Sequence, residues 1–319
     1  MKKLTALVLA LLLVAAMPLA LASCSDDSKY TVGIAQWAPH SALDAATKGF
    51  KDALVEELGE DQVTFLDQNA QGDAPTCTTI INDFTTKNVD LIFANATPAL
   101  QTAAAATTTI PILGTSVTEY GIALNKTLTD GVVGGNISGT SDLAPLDKQA
   151  DMLAELFPSA NYPTVALLYC SAEPNSKYQV DTIKPLLEAK GYTCELVSFT
   201  DTTDLQAQAT LAATKSVIYV PTDNTVANNT TAVLGAIGNT PLVAGEEGIC
   251  KGCGVATLSI DYYELGQITG RMAAKILKGE AKIAEMKIEY AAAQTKKYMA
   301  SRASVLNLTV PTDYVAIAE

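Results

Sequence analysis

Acidic and amide side chains follow two of the strands predicted in the second half of the chain. Asp223 and Asn224 follow the apolar run 216–220 after Pro221 and Thr222, and Glu246 comes shortly after the run 241–244. Carboxylate and amide oxygens accept hydrogen bonds from cationic groups such as an ammonium. We therefore expect these three residues to bind a positively charged group, with N-capping of the next helix as the alternative role for Asp223.

Further acidic residues near predicted strand ends could also contact a cationic group. Glu173 lies in the loop after the predicted strand 164–170, which makes it a further acidic candidate. Glu246 is followed by Glu247, and the sequence does not determine which of the two faces the site.

Hydroxyl and amide groups near other predicted strand ends are suited to binding an anion. Thr97, Thr118, Asn175 and Ser176 occupy such positions. Hydroxyls and free backbone N–H groups at helix N-termini bind carboxylates without a full positive charge. We expect these four residues to contact a ligand, with helix capping or turn formation as the alternative for each.

The first predicted strand ends with Gln36 and Trp37, the single tryptophan of the chain. An indole at this position stacks on a flat or apolar ligand. We expect Gln36 and Trp37 to line the site, with burial of the indole beneath the next helix as the alternative.

Few residues of the sequence are suited to catalysis. His40 is the single histidine, and it precedes a predicted helix, where a capping or surface role is favoured over that of a general base. No phosphate-binding loop of the Gly-x-x-x-x-Gly-Lys-Ser/Thr type is present in the sequence. Adjacent acids such as Glu246 and Glu247 normally point apart, which disfavours a glycosidase pair. The sequence therefore predicts no enzyme, no cofactor and no metal site.

Six cysteines are present, and one close pair lies in a glycine-rich segment, Cys250-Lys-Gly-Cys253. Outside the cytoplasm a small disulfide is favoured there over free thiols, and free thiols over a metal site. Cys170 and Cys194 lie near a strand end and a strand start, so their close approach is not assured, and Cys77 has no evident partner.

The N-terminus has the layout of an export signal. Lys2 and Lys3 precede the apolar run 4–21, and Leu21-Ala22-Ser23-Cys24 forms a lipobox. We expect a lipoprotein signal at 1–23, a lipid on Cys24 and a polar tether at 24–29. A transmembrane anchor is the alternative, but Pro18 and the lack of a basic flank disfavour it.

Composition favours a soluble, acidic body behind this tether. The chain has 34 acidic and 21 basic residues, a net charge of -13, and no basic cluster. Such a body repels nucleic acid. A length of 319 residues exceeds the usual size of a single core, so two domains are expected.

Short apolar runs alternate with helical patterns throughout the body. Continuous runs rich in Val, Ile, Leu and Tyr are typical of parallel strands buried on both faces. The predicted strands are Thr31–Ala35, Val63–Leu66, Val89–Ala94, Ile110–Gly114, Thr164–Cys170, Cys194–Phe199, Ser216–Val220 and Pro241–Ala244. The pattern predicts an α/β fold of βαβ units.

The alternation occurs twice, which predicts two similar lobes with parallel sheets. The run Thr31–Gln36 resembles Thr164–Tyr169, and each opens a strand–helix series. We expect residues 30–139 and 260–286 in the first lobe, and 140–259 and 287–319 in the second. The expected crossings, at 134–142, 256–260 and 287–291, form a hinge that limits motion to closure of the cleft.

Six short motifs in this order resemble the substrate-binding lipoproteins of ABC importers, in particular the tryptophan- and tyrosine-binding TrpX family. They are Val32–Gln36, His40–Asp44, Asn69–Asp73, Ala96–Ala99, Pro221–Val226 and Asp261–Gly266. The resemblance covers nearly all of residues 30–290, while Pro39-His40-Ser41 departs from the usual acidic-His-Pro run.

The resemblance implies a type I periplasmic-binding-protein fold with two Rossmann-like lobes and a small-molecule ligand, an aromatic amino acid by preference. It also implies delivery of the ligand to an ABC permease with its ATPase, and we expect a monomer tethered to the membrane by the lipid on Cys24. The shared Pro-Thr-Asp-Asn run favours ligand contact by Asp223 and Asn224. A ligand-sensing lipoprotein of the same fold and an extracellular α/β enzyme are the alternatives.

Overall fold

The structure, a computed structural model, describes residues 29–318, so Cys24 and the apolar run before it lie outside the described residues. The strands are β1 Tyr30–Gln36, β2 Val63–Asn69, β3 Leu91–Asn95, β4 Ile112–Val117, β5 Ile137–Ser141, β6 Thr164–Cys170, β7 Thr193–Phe199, β8 Val217–Val220, β9 Leu242–Ala244, β10 Ala256–Ile260, β11 Glu289–Tyr290, β12 Gln294–Tyr298 and β13 Val315–Ala316. The α-helices are α1 Ser41–Leu58, α2 Ala74–Lys87, α3 Thr97–Ala106, α4 Tyr120–Leu124, α5 Leu146–Leu156, α6 Pro174–Glu188, α7 Thr202–Ala212, α8 Asn224–Ala227, α9 Thr230–Ile237, α10 Glu247–Cys253, α11 Tyr262–Leu277 and α12 Ala300–Val305.

Two sheets repeat the same strand order. The first runs β2-β1-β3-β4-β5 with β11 at its edge, and the second runs β7-β6-β8-β9-β10 followed by β12 and β13. All pairs are parallel except that of β10 with β12. The order 2-1-3-4-5 is that of a doubly wound α/β sheet. The predicted internal repeat is confirmed, since β1 and β6 hold equivalent places in the two lobes.

Both sheets are buried on both faces, as the continuous apolar runs predict. Val165 and Leu167 of β6 lie in one apolar cluster, while Ala166 and Leu168 lie in another on the opposite face. The strands of the first sheet divide in the same way between two further clusters. None of the helices in the described part of the chain is long and apolar enough to cross a bilayer.

All eight strands predicted from apolar runs are present in the structure. The strand β5 was not predicted, because its sequence Ile-Ser-Gly-Thr-Ser has no apolar run. It is nevertheless fully buried, and its backbone pairs with β4 and β11. The glycine-rich segment 134–142 thus contributes a strand to the first sheet.

Apolar residues at helical spacing predict helices at 41–58, 175–191 and 261–278, and the structure confirms them as α1, α6 and α11 with small shifts at their ends. Ser41 followed by Asp44 also predicts a capping box at the start of α1, and this prediction is wrong. His40 is the N-cap residue and its side chain makes no capping bond. Asp44 Oδ1 instead accepts a hydrogen bond of 2.7 Å from Gln36 Nε2.

Each passage of the chain between the lobes contributes one residue to a small apolar cluster, which we call the hinge cluster. Ala144 follows β5, Ile260 ends β10, and Ala291 follows β11. They pack with Tyr262 and Leu265 of α11, next to the first turns of α1. The passages between the lobes are thereby held together at one place.

The prediction of a disulfide in a loop at Cys250 and Cys253 is wrong. Both residues lie in α10, both are buried, and both are free thiols. The helix places them in the apolar cluster on one face of the second sheet, where they act as small apolar side chains.

Candidate ligand-binding site

The carboxyl ends of the two sheets face each other across the lobe interface. Gln179 Nε2 of α6 donates to Thr118 Oγ1 of the first lobe at 3.4 Å. His40 Nε2 lies 3.5 Å from Asn224 Oδ1 of the second lobe. The two lobes therefore touch at residues that follow their strands, which is the place where α/β sheets bind ligands.

Gln36 is fixed by the first lobe. Its Nε2 donates to Ala38 O at 2.8 Å as well as to Asp44, and its Oε1 accepts from Thr47 Oγ1 at 2.7 Å. The amide is 5 % exposed. Its bonds hold the β1–α1 loop in place, and Trp37 in that loop is half-buried against the apolar cluster under α2.

Three polar residues lie where β3 and β4 end. Asn95 Nδ2 donates to Leu43 O at 2.8 Å and to Thr47 Oγ1 at 3.0 Å. The next residue, Ala96, has φ 91°, and Thr97 then begins α3, which has no side-chain cap. Ser116 has φ 52°, so its backbone adopts the left-handed conformation that non-glycine residues seldom occupy.

Glu173 is a centre of hydrogen bonding in the second lobe. Its Oε2 accepts from Asn224 N at 3.0 Å and from Asn224 Nδ2 at 2.7 Å. Its Oε1 accepts from Thr225 N at 2.9 Å and from Thr225 Oγ1 at 2.7 Å. Glu173 therefore ties the β6–α6 loop to the beginning of α8.

Asn175 and Ser176, at the beginning of α6, are buried and turn toward the adjacent loop. Both side chains donate to Thr222 O, at 2.9 Å and 3.3 Å. Gln179, one turn further, accepts from Thr222 N at 3.1 Å. These bonds bring α6 and the β8–α8 loop together beside Thr118.

Asp223 and Asn224 are buried and already have partners. Asp223 Oδ2 accepts from Cys170 N at 2.7 Å, and Oδ1 caps α8 by accepting from Val226 N at 2.9 Å. Burial and the neighbouring charge of Glu173 raise the pKa of Asp223. The capping role weighed from the sequence is present in the structure.

Of the two adjacent glutamates, Glu246 is the buried one. Its carboxylate caps α10 by accepting from Gly248 N at 2.6 Å and from Ile249 N. Burial raises its pKa to about 7. Glu247 is partly exposed and pairs with Lys297 at 2.5 Å.

A carboxylate that the sequence did not indicate lies between the lobes. Asp142 follows β5 directly and is 3 % exposed. Its Oδ2 accepts from Tyr262 Oη at 2.9 Å. Burial raises the pKa of Asp142 to about 6, and the hydroxyls of Tyr262 and Thr118 offset part of that effect.

Several buried polar atoms at these strand ends have no hydrogen-bond partner within residues 29–318. They are His40 Nδ1, Asn95 Oδ1, Ser116 Oγ, Asp142 Oδ1 and Asn175 Oδ1. A buried polar group without a partner costs about 1–3 kcal/mol. Their concentration near the lobe interface makes it the candidate site for a polar ligand.

A wider groove lies elsewhere, between α5 and β12 of the second lobe. It measures about 800 Å³ and is lined by residues such as Lys148, Glu155 and Lys296. None of the described buried polar atoms that lack a partner lines it. The interface is therefore the better candidate site, and beside its hinge lies a cleft of about 290 Å³ between Ser41, Glu246 and Tyr262.

The buried acids of the interface make no ion pair with a described Lys, Arg or His residue. Asp142, Glu173, Asp223 and Glu246 are absent from the ion pairs of residues 29–318. Across the same range no group of three or more His, Cys, Asp and Glu side chains is arranged to hold a metal ion. The site is thus polar, rich in carboxyl groups without a cationic partner in this range, and suited to a ligand with hydrogen-bond donors.

Two doubly wound lobes with a polar interface at their strand ends define a two-lobed α/β binding protein. Residues 31–314 match the family model described as ABC transporter substrate binding protein. The chain belongs to this family, and its fold is the type I periplasmic-binding-protein fold. A tyrosine-binding protein of Clostridioides difficile strain R20291 is 34% identical over 273 residues, which cover 81% of this chain and 78% of the relative.

Two solved structures are also similar. An ABC domain from Streptococcus pneumoniae in complex with L-Trp is 30% identical and has a TM-score of 0.84, covering 89% of this chain and 97% of the other. The ligand-free, open structure of a substrate-binding protein with adhesive properties from Clostridium difficile is 32% identical and has a TM-score of 0.70, covering 90% and 99%. The chain therefore superposes better on the L-Trp complex than on the open relative.

Proposed function

We propose that this protein captures an aromatic L-amino acid outside the cytoplasm and delivers it to the permease of an ABC importer. The observation that carries the proposal is the 30% identical relative with bound L-Trp, whose fold the chain shares over 89% of its length. The tyrosine-binding relative supports the same ligand class. A buried interface with carboxyl groups and with polar atoms that lack a partner suits a zwitterion, which carries both an ammonium and a carboxylate group.

The ligand's carboxylate is proposed to bind where β3 and β4 end. Ala96 N donates to Thr115 O at 3.0 Å, which places Ser116 beside the beginning of α3. The Ser116 hydroxyl has no partner among the described residues, and α3 begins at Thr97 without a side-chain cap. Two hydroxyls and free N–H groups are a suitable receptor for a carboxylate.

The remaining site residues are proposed to form the walls. Trp37 offers an indole face to the aromatic side chain, and Gln36 holds the loop that carries it. From the second lobe, Asn175 and Asn224 present amide groups. Thr118, Glu173, Ser176, Asp223 and Glu246 complete the proposed set of wall and supporting residues.

The lipobox supports a location at a membrane. We propose that Cys24 carries the lipid, that the protein is a monomer, and that its closed lobes are recognised by the permease. The lipid is tested by fractionating cells that express Cys24→Ser, with Cys194→Ser as the control. Recovery of Cys24→Ser in the membrane fraction at the wild-type level would contradict the anchor.

Thermal unfolding with a ligand panel tests the ligand class. The purified chain from residue 25 onward is heated alone and with L-tryptophan, L-tyrosine, L-phenylalanine, aliphatic amino acids, nucleosides and sugars. A ligand at 100 times its Kd stabilises the folded state by about 2.7 kcal/mol. We expect a concentration-dependent rise in Tm with at least one aromatic amino acid. A rise only with a sugar or a nucleoside would refute the aromatic assignment.

A further inference from the structure

Four carboxylates are almost completely buried within residues 29–318, and they differ in how many partners they have. Glu173, Asp223 and Glu246 accept backbone N–H groups on both oxygens. Asp142 accepts from Tyr262 on Oδ2, while Oδ1 has no partner in that range. Asp142 is therefore the buried acid with bonding capacity left for a ligand.

The surroundings of Asp142 place it between the lobes. Ser141 Oγ donates to Thr118 O at 2.8 Å, so the ends of β4 and β5 are locked together beside it. Tyr262, which orients Asp142, belongs to the hinge cluster. Glu246 of the second lobe is near enough for the charge of Asp142 to raise the Glu246 pKa.

No cationic side chain of the described chain balances this charge. Asp142 takes part in none of the ion pairs within residues 29–318. A buried carboxylate without a cation is costly, and supplying the cation recovers that cost. The missing partner is a compact donor of several hydrogen bonds, which describes a primary ammonium.

We infer that Asp142, oriented by the Tyr262 hydroxyl, is the receptor for the ligand's α-ammonium group. The inference rests on the proposed function and adds the residue that distinguishes an amino acid from the same molecule without its amine. The inference assigns the ammonium group to Asp142 rather than to Asp223, since an ammonium at Asp223 would have to displace the N–H groups of Cys170 and Val226.

Calorimetric titration of two matched probes tests the assignment. L-tryptophan and indole-3-propionate differ in the amine alone, as do L-tyrosine and 3-(4-hydroxyphenyl)propionate. The wild type is expected to prefer the amino acid. In Asp142→Asn the affinity for the amino acid should fall on the order of 10- to 100-fold, while that for the amine-free acid is kept. Asp90→Asn is the matched control, because Asp90 accepts from Thr31 N at the opposite end of the first sheet.

Two other results would overturn Asp142 as the ammonium site. Retention of the amine preference in Asp142→Asn, with its loss in Asp223→Asn, would return the ammonium site to Asp223. If Asp142→Asn does not fold, Tyr262→Phe serves in its place, and an unchanged amine preference there overturns the inference.

The titrations can refute the proposed ligand class and the proposed ammonium site independently of each other. A wild type that binds a non-aromatic amino acid, with the affinity lost in Asp142→Asn, refutes the aromatic assignment and keeps the ammonium site. A wild type whose ligand carries no amine overturns the ammonium site.

Discussion

The buried carboxylates of the interface titrate in a range that pH experiments reach. Burial raises the pKa of Asp142 to about 6 and that of Glu246 to about 7. A carboxyl whose pKa is higher in the folded than in the unfolded protein favours the fold most below its unfolded pKa. That contribution is lost as the pH rises through the folded pKa.

The unliganded protein is therefore expected to lose stability between about pH 4 and pH 7. The contribution of Asp142 alone is roughly 3 kcal/mol over that whole interval, since its pKa rises from 3.8 to about 6 and one unit of pKa shift corresponds to about 1.4 kcal/mol. Urea denaturation at pH 5 and pH 8 measures the difference. Asp142→Asn should lose less stability than wild type over this interval, whereas Asp90→Asn should match it. Equal losses in all three proteins would contradict the raised pKa of Asp142.

The sequence indicates the site where polar residues follow apolar strands. Thr97, Asp223 and Glu246 were found in this way, and all three lie buried after predicted strands. Asp142 was missed because β5 has no apolar run, so nothing marked its end as a strand end. Whether a carboxylate keeps a free oxygen depends on backbone N–H groups that only the folded loops bring near.

The close backbone contact between α1 and α11 could not be predicted from the sequence either. The amphipathic patterns of α1 and α11 predict that each helix buries one face, and both do. They do not predict that the two helices meet through Gly49, Gly266 and Gly270. A Cβ on Gly266 would lie 2.0 Å from Ala46 O, and one on Gly270 would lie 2.6 Å from Phe50 O.

Gly266→Ala is expected to destabilise the protein by roughly 3 kcal/mol, because the added methyl meets backbone that must move. The control is Gly235→Ala in α9, where a Cβ would meet nothing within 4 Å. Greater helix propensity should raise its stability by roughly 0.5–1 kcal/mol. Chemical denaturation measures both, and equal effects of the two changes would argue against direct contact between α1 and α11.

At the scale of the molecule, few direct bonds join the two lobes away from the hinge. Gln179 to Thr118 and His40 to Asn224 are long, at 3.4 Å and 3.5 Å. Neutral hydrogen bonds contribute about 1 kcal/mol each. A ligand held by its charged groups at the strand ends of the first sheet also contacts the amides of Asn175 and Asn224 in the second lobe, so it favours the closed arrangement by its differential affinity.

Small-angle scattering should show this change of population. The wild-type radius of gyration is expected to fall when an aromatic amino acid saturates the protein, because the lobes rotate about the hinge cluster. Asp142→Asn, at an amino acid concentration that saturates only the wild type, should keep the larger radius. Gly235→Ala, whose added methyl group would meet nothing within 4 Å, should behave as wild type. An unchanged radius in wild type with bound ligand, proven by titration, would mean that the lobes are already closed without it and that binding does not drive closure.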